Sequence, residues 1–188
     1  GEKITSGMDP RLNQSGCTLI VLAEWKAPVY QNAVTLITSS IRRNGPANID
    51  SKIHHNNLIN NILAKIEANN AGADDALMLD NNGFVAETNA CNIFMIKNGM
   101  LFTPNADACL PGITRKTVIT LCQQNNIPIH LKNISLTEMY NADQVFTTGT
   151  MGELTAVKMI DGRAIINRSG TDLLQHINDL FRNLTLAL

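Results

Sequence analysis

The sequence carries no excess of either charge. Fifteen Lys and Arg stand against 16 Asp and Glu, a formal net charge of -1. A nucleic-acid or anionic-membrane partner needs a basic face, and the pair Arg42-Arg43 is too short to make one. No apolar run is long enough to span a bilayer. Cysteine is sparse: Cys17, Cys91, Cys109 and Cys122 form no C-x-x-C pair and fit no zinc spacing. They are expected to be reduced thiols in a cytoplasmic setting. With only four histidines and no H-x-x-x-H, the adjacent His54-His55 does not read as a metal site, and no metal is expected. Internal repeats and low-complexity tracts are absent. What remains is ordinary for a globular protein: 44% hydrophobic and 16% charged residues over a 188-residue chain, enough for one sizeable domain or two small ones.

Periodicity then divides the chain. "CTLIVLAEW" (residues 17–25) and "VTLITSS" (34–40) are β-rich runs joined by a turn containing Pro28. "RRNGPANID" is a loop with Asn-Gly-Pro as breaker. From about His54 to Ala71 the period is helical, with Leu58, Ile62 and Ile66 on one face, Ile59 and Leu63 beside them, and Gly72 as the stop. Asn82-Gly83, Asn98-Gly99 and Asp161-Gly162 each sit between short apolar runs and predict hairpins. "LPGITRKTVITLCQQNN" predicts a tight loop and a helix through Val118, Leu121 and Cys122, and "IPIHL" a strand. "SLTE" predicts a capping box, "DQVFTTGT" a strand ending in a Gly-Thr turn, and Leu173, Leu174, Ile177, Leu180 and Phe181 a closing amphipathic helix. Hairpins and helices alternate without strict βαβ order, which predicts an α+β fold with a mixed or barrel-like sheet.

Four places offer chemistry. Lys52, in "IDSKIHHNNL", is by itself a surface lysine or an activated amine. Glu87, at the end of a hydrophobic strand, is an edge carboxylate or a partly buried anion awaiting a cation. "LPGITR" puts Gly112 and Thr114 at a helix start, a simple N-cap or an anion site. "TTGTMGE" is a second turn with amides and hydroxyls.

In combination they say more. Lys52 before a helix, "DALMLD", Glu87 and Asn92 in "ETNACNIF", then "TP", "LPGITR" and "FTTGT" occur in one order at one set of spacings. This resembles the class-IV pyridoxal-phosphate-dependent aminotransferases, which include branched-chain and D-amino-acid aminotransferases and aminodeoxychorismate lyase. The resemblance covers roughly residues 49–163. It implies the D-amino-acid-aminotransferase-like fold, with residues 1–48 the end of a small domain and its linker and 49–188 the large cofactor domain. That linker reading agrees with "GEKITSGMDPRL", which has no helix or strand pattern and reads as mid-loop. The resemblance also implies roles. Lys52 would form the Schiff base with pyridoxal 5'-phosphate, and Glu87 would pair with its ring nitrogen. The amides of Ile113 and Thr114 would hold its phosphate. Leu110 would touch the ring face, and Thr150, flanked by Gly149 and Met151, would serve the second phosphate and substrate loop. Implied too are transamination between an amino acid, branched-chain in the nearest reading, and a 2-oxo acid, and a homodimer. Pyruvate-releasing elimination and an inactive cofactor-domain fragment are the alternatives. Two positions depart from the pattern: Asn57 replaces a usual tyrosine or arginine, and Asn89 a usual small residue.

Overall fold

A computed structural model describes residues 2–26, 29–30 and 32–186. Its elements in chain order are β1 (Val34–Thr38), α1 (Ile59–Asn70), β2 (Asp75–Leu79), β3 (Val85–Thr88), β4 (Asn92–Lys97), β5 (Met100–Thr103), α2 (Ile113–Gln124), β6 (Ile129–Leu131), α3 (Leu136–Tyr140), β7 (Gln144–Gly149), β8 (Glu153–Ile160), β9 (Arg163–Ala164) and α4 (Leu173–Leu186). The strands form one sheet in the order β3-β2-β1-β8-β7-β4-β5-β6, with β9 on β8. β1 runs parallel to β2 and β8, and β5 to β6; the other pairs are antiparallel. β3 ends the order, yet only residues 89–91 separate it from β4, and Thr88 N–H donates to Cys91 C=O at 2.8 Å. Those two constraints curl the sheet from β3 round to β4 into a half-barrel, so the mixed α+β fold matches the expectation.

Side-chain alternation builds a core on each face. Ile93 and Met95 of β4 point inward with Leu36, Leu77, Leu79, Val145 and Val157. Phe94 and Ile96 point outward, under α2 and α4, with Val118, Cys122, Ile177 and Phe181. Phe94 stacks on its cross-strand partner Phe146 with ring centroids 5.0 Å apart. The local devices form as expected. Asn98-Gly99 and Asp161-Gly162 take positive φ at both turn positions, and Ser135 and Glu138 complete a reciprocal capping box.

Three expectations change. Residues 17–25 form no strand; they lie exposed and pair with none of the described strands. The Pro28 turn lies outside the described residues. α1 starts at Ile59 rather than near residue 54: no side chain caps it, and residues 51–58 remain a loop. Its large apolar face, ordinarily the buried one, points to solvent, with Ile59 62% and Ile62 57% exposed. Ala64 and Ala68 pack instead on Ala76 and Met78 of β2, where small side chains let helix and sheet approach closely. β1 itself sits between β2 and β8 in the sheet.

Candidate active site

Glu87 lies opposite Met78 in the β2–β3 register. Cross-strand partners share a face, so its carboxylate enters the outer layer beneath α1 rather than the barrel interior. It is buried, and Arg43 meets it there: the guanidinium Nη2 stands 2.7 Å from Glu87 Oε1, with both side chains nearly inaccessible. Arg43 is itself anchored. Its backbone N–H donates to Leu79 C=O at 2.9 Å, and Nη1 donates to Asn61 Oδ1 of α1 at 2.6 Å. Burial pushes the Glu87 carboxyl up, to about 7, while the Arg43 guanidinium and the Leu110 amide pull it down less strongly.

Asn92 joins this pair to α2. Its Nδ2 donates to Glu87 Oε2 at 3.1 Å and to Leu110 C=O at 2.9 Å. Gly112 then opens the helix with φ 69°, and no side chain caps the first turn, so the leading amides are bare. A Cβ at Gly112 would lie 1.9 Å from Asn92 Oδ1. Glycine is therefore required twice, by the backbone angle and by the close approach. Gly112→Ala is expected to lose about 1–3 kcal/mol, the typical cost of a non-glycine residue held in a sparsely populated backbone region. Urea unfolding of the two proteins would measure it; equal midpoints would contradict the close approach.

A cavity of about 220 Å³ opens beside Glu87, walled by Arg43, His54, His55, Asn89 and Leu110, with Ile53 and Leu58 as apolar lining. Glu87, Leu110, Ile113 and Thr114 are thus brought together through Asn92 and Gly112. Lys52 is not brought to them: it is exposed in the turn that starts at Ser51, its backbone N–H donates to Asp50 Oδ1 at 3.0 Å, and it lines no part of the cavity. Thr150 and Met151 follow Gly149, the last residue of β7, and line a second, wider cavity with Tyr30, Asn32 and Arg182. Asn57 is exposed, and its N–H donates to His55 Nδ1 at 3.1 Å. Asn89 Oδ1 accepts from Ala76 N–H at 2.8 Å, which ties the β3–β4 turn to β2. Among the described residues no group of His, Cys, Asp and Glu could hold a metal ion, and no helix is long and apolar enough to cross a membrane.

Two residues escaped the sequence reading. As half of a short basic pair Arg43 gives no signal of its own, although a buried carboxylate requires a cation and this arginine lies just past a strand. His54, in the His54-His55 pair, suggests from sequence only a metal ligand.

Residues 4–160 match the family described as amino-transferase class IV. Branched-chain-amino-acid aminotransferase-like protein 2 of Arabidopsis thaliana is 57% identical over 187 residues, covering 98% of this chain and 34% of that protein. The crystal structure of a branched-chain aminotransferase from Thermoproteus uzoniensis with norvaline superposes with a TM-score of 0.78 at 35% identity, covering 83% of this chain and 52% of that one. An aminotransferase from Brucella abortus bound to the co-factor PLP gives a TM-score of 0.79 at 28% identity, covering 86% of this chain and 57% of that one. The chain spans about a third of the length of the Arabidopsis relatives it matches. On the match over residues 4–160 and the shared fold, the chain belongs to the class-IV aminotransferase family.

Proposed function

We propose that these residues form the cofactor domain of a pyridoxal-phosphate-dependent enzyme, and that the whole protein transfers an amino group from an amino acid, branched-chain in type, to a 2-oxo acid. The observation that carries this reading is the buried Glu87 carboxyl on a cavity wall, joined by Asn92 to the bare N-terminus of α2. Those features fit two ends of the cofactor. A carboxylate favours a protonated ring nitrogen, and the amides of Ile113 and Thr114 can bind a phosphate, helped by the helix dipole. Leu110 would offer an apolar contact to the ring, and Thr150 with Gly149 and Met151 would form the substrate loop. Bound there, the cofactor supplies an electron sink for negative charge developing at the substrate Cα. The protein's own part is to keep the ring nitrogen charged, fix the phosphate and exclude water.

Titrating the intact protein with pyridoxal phosphate by calorimetry tests the reading, with inorganic phosphate as competitor. Saturable binding that phosphate weakens and Glu87→Gln weakens further is expected. No binding would remove the proposal. Supplying amino acid with and without a 2-oxo acid separates transfer from elimination, since only transfer consumes the oxo acid. A second reading, a cofactor domain without transfer chemistry, is favoured by one observation: Lys52 is exposed and outside the cavity.

The same protein is proposed to work as a cytoplasmic homodimer. The outward face of α1, with Ile59, Ile62, Leu63 and Ile66 exposed, supports the dimer, because contiguous apolar patches on a surface mark association sites. The double change Ile62→Glu and Ile66→Glu is expected to shift sedimentation to the monomer. An unchanged sedimentation coefficient would place the contact elsewhere.

A further inference from the structure

We infer that the side chain offering the Glu87 cavity a proton acceptor is His54, and that no lysine of this chain bonds covalently to a pyridoxal phosphate seated there. The inference rests on the cofactor reading above and decides how such a cofactor is held.

The chain has eight lysines, all within the described residues. None lines the cavity. Five have partners elsewhere: Lys3 on the Gly7 carbonyl, Lys26 on Glu24, Lys65 on Asp75, Lys97 on Asp143 and Lys132 on Glu138. Lys116 and Lys158 are exposed on α2 and β8. Lys52 comes nearest in sequence, but it projects to solvent from the turn that Asp50 Oδ1 holds at its N–H. Its neighbours Ile53 and His54 are exposed as well, but unlike Lys52 they line the cavity. Ser51 is buried, its hydroxyl donating to Asn44 C=O at 2.7 Å, and Ile53, His54 and His55 line the cavity. Of the two histidines, His55 has Nδ1 occupied by the Asn57 N–H, which leaves His54 as the ring not committed to that turn.

The difference between amine and imidazole is chemical. A primary amine condenses with an aldehyde by losing both of its nitrogen hydrogens: a C=N bond forms and water leaves. An imidazole nitrogen carries at most one hydrogen in the neutral ring and cannot complete that step. Its bare ring nitrogen can accept a hydrogen bond or a proton. His54 therefore offers the cavity a proton acceptor beside Glu87 and no tether. The cofactor would be held by the ring-nitrogen contact, the α2 amides and the Ile53 and Leu58 walls alone, and it would exchange freely with solvent.

Borohydride reduction and peptide mapping decide the matter. The intact protein is mixed with an equimolar amount of pyridoxal phosphate. One portion is dialysed and assayed for retained cofactor, and another is reduced and mapped by mass spectrometry. The wild-type protein is expected to lose its cofactor on dialysis and to carry no dominant pyridoxyl group on any lysine of this chain. His54→Lys is expected to retain cofactor, to gain a visible absorption band and to carry the label at position 54. A dominant label on Lys52 of the wild type would overturn the inference while leaving the cofactor reading intact. If neither protein binds cofactor by calorimetry, the cofactor reading fails and this inference with it. Should His54→Lys not fold, the wild-type map still decides.

Discussion

Replacing Arg43 by Met should lower stability by about 3–5 kcal/mol, the cost of removing one partner of a buried ion pair. The guanidinium is the cation that meets Glu87, and it also ties β2 to α1 through Asn61. The loss should depend on pH in a stated direction. The folded-state pKa of Glu87 lies above its ordinary 4.5, raised by burial to about 7. Folding therefore favours the protonated acid. The stability that Glu87 contributes is full below about 4.5 and is lost as pH rises through about 7. Without Arg43 the carboxyl loses its main counterweight to burial, so its pKa climbs further and the loss steepens. Guanidinium unfolding of Arg43→Met should show a markedly larger deficit at about pH 8.5 than at about pH 5. Adding Glu87→Leu should recover part of the deficit at the higher pH, because the uncompensated charge is then gone. A deficit that is flat with pH would mean that Arg43 acts by packing alone.

Glu87→Gln should have the largest effect on chemistry. The amide keeps the size and can still accept from Asn92, but it carries no charge to hold a proton on a ring nitrogen. Bound pyridoxal phosphate should then lose that proton at lower pH, an effect readable in its absorption as pH is raised. Single-turnover half-reactions of the full-length protein should slow on the order of a hundredfold or more, about 3–4 kcal/mol, as for other removed electrostatic contacts. The variant also leaves Arg43 buried without its anion, so its melting temperature should fall at neutral pH, which a free strand-edge carboxylate would not predict. Unchanged absorption titration and unchanged half-reaction rates would reduce Glu87 to a structural partner of Arg43.

The three Gly-containing hairpins, the capping box at Ser135, α2 and α4 were legible in the sequence because each is decided within a few residues. A left-handed turn needs Asn-Gly or Asp-Gly whatever surrounds it, and a capping box closes on its own backbone. The order of "ETNACNIF", "LPGITR" and "FTTGT" carried the family for a related reason: strand-end carboxylate, helix start and turn each have short-range signatures. Three matters were decided only by tertiary structure. Arg43 finds Glu87 because β1 and β2 are parallel neighbours, which carries the loop after β1 over the β3 face. α1 buries its alanines and exposes its isoleucines because the depth of the sheet surface, not the size of the side chains, selects the face that fits. The aim of residues 51–55 depends on a turn held by Asp50 and on Ser51 reaching Asn44; two residues of shift, invisible to spacing arguments, separate an exposed lysine outside the cavity from an exposed histidine that lines it. Local sequence sets which elements form, whereas the direction of a loop side chain is the sum of long-range contacts that no short window contains.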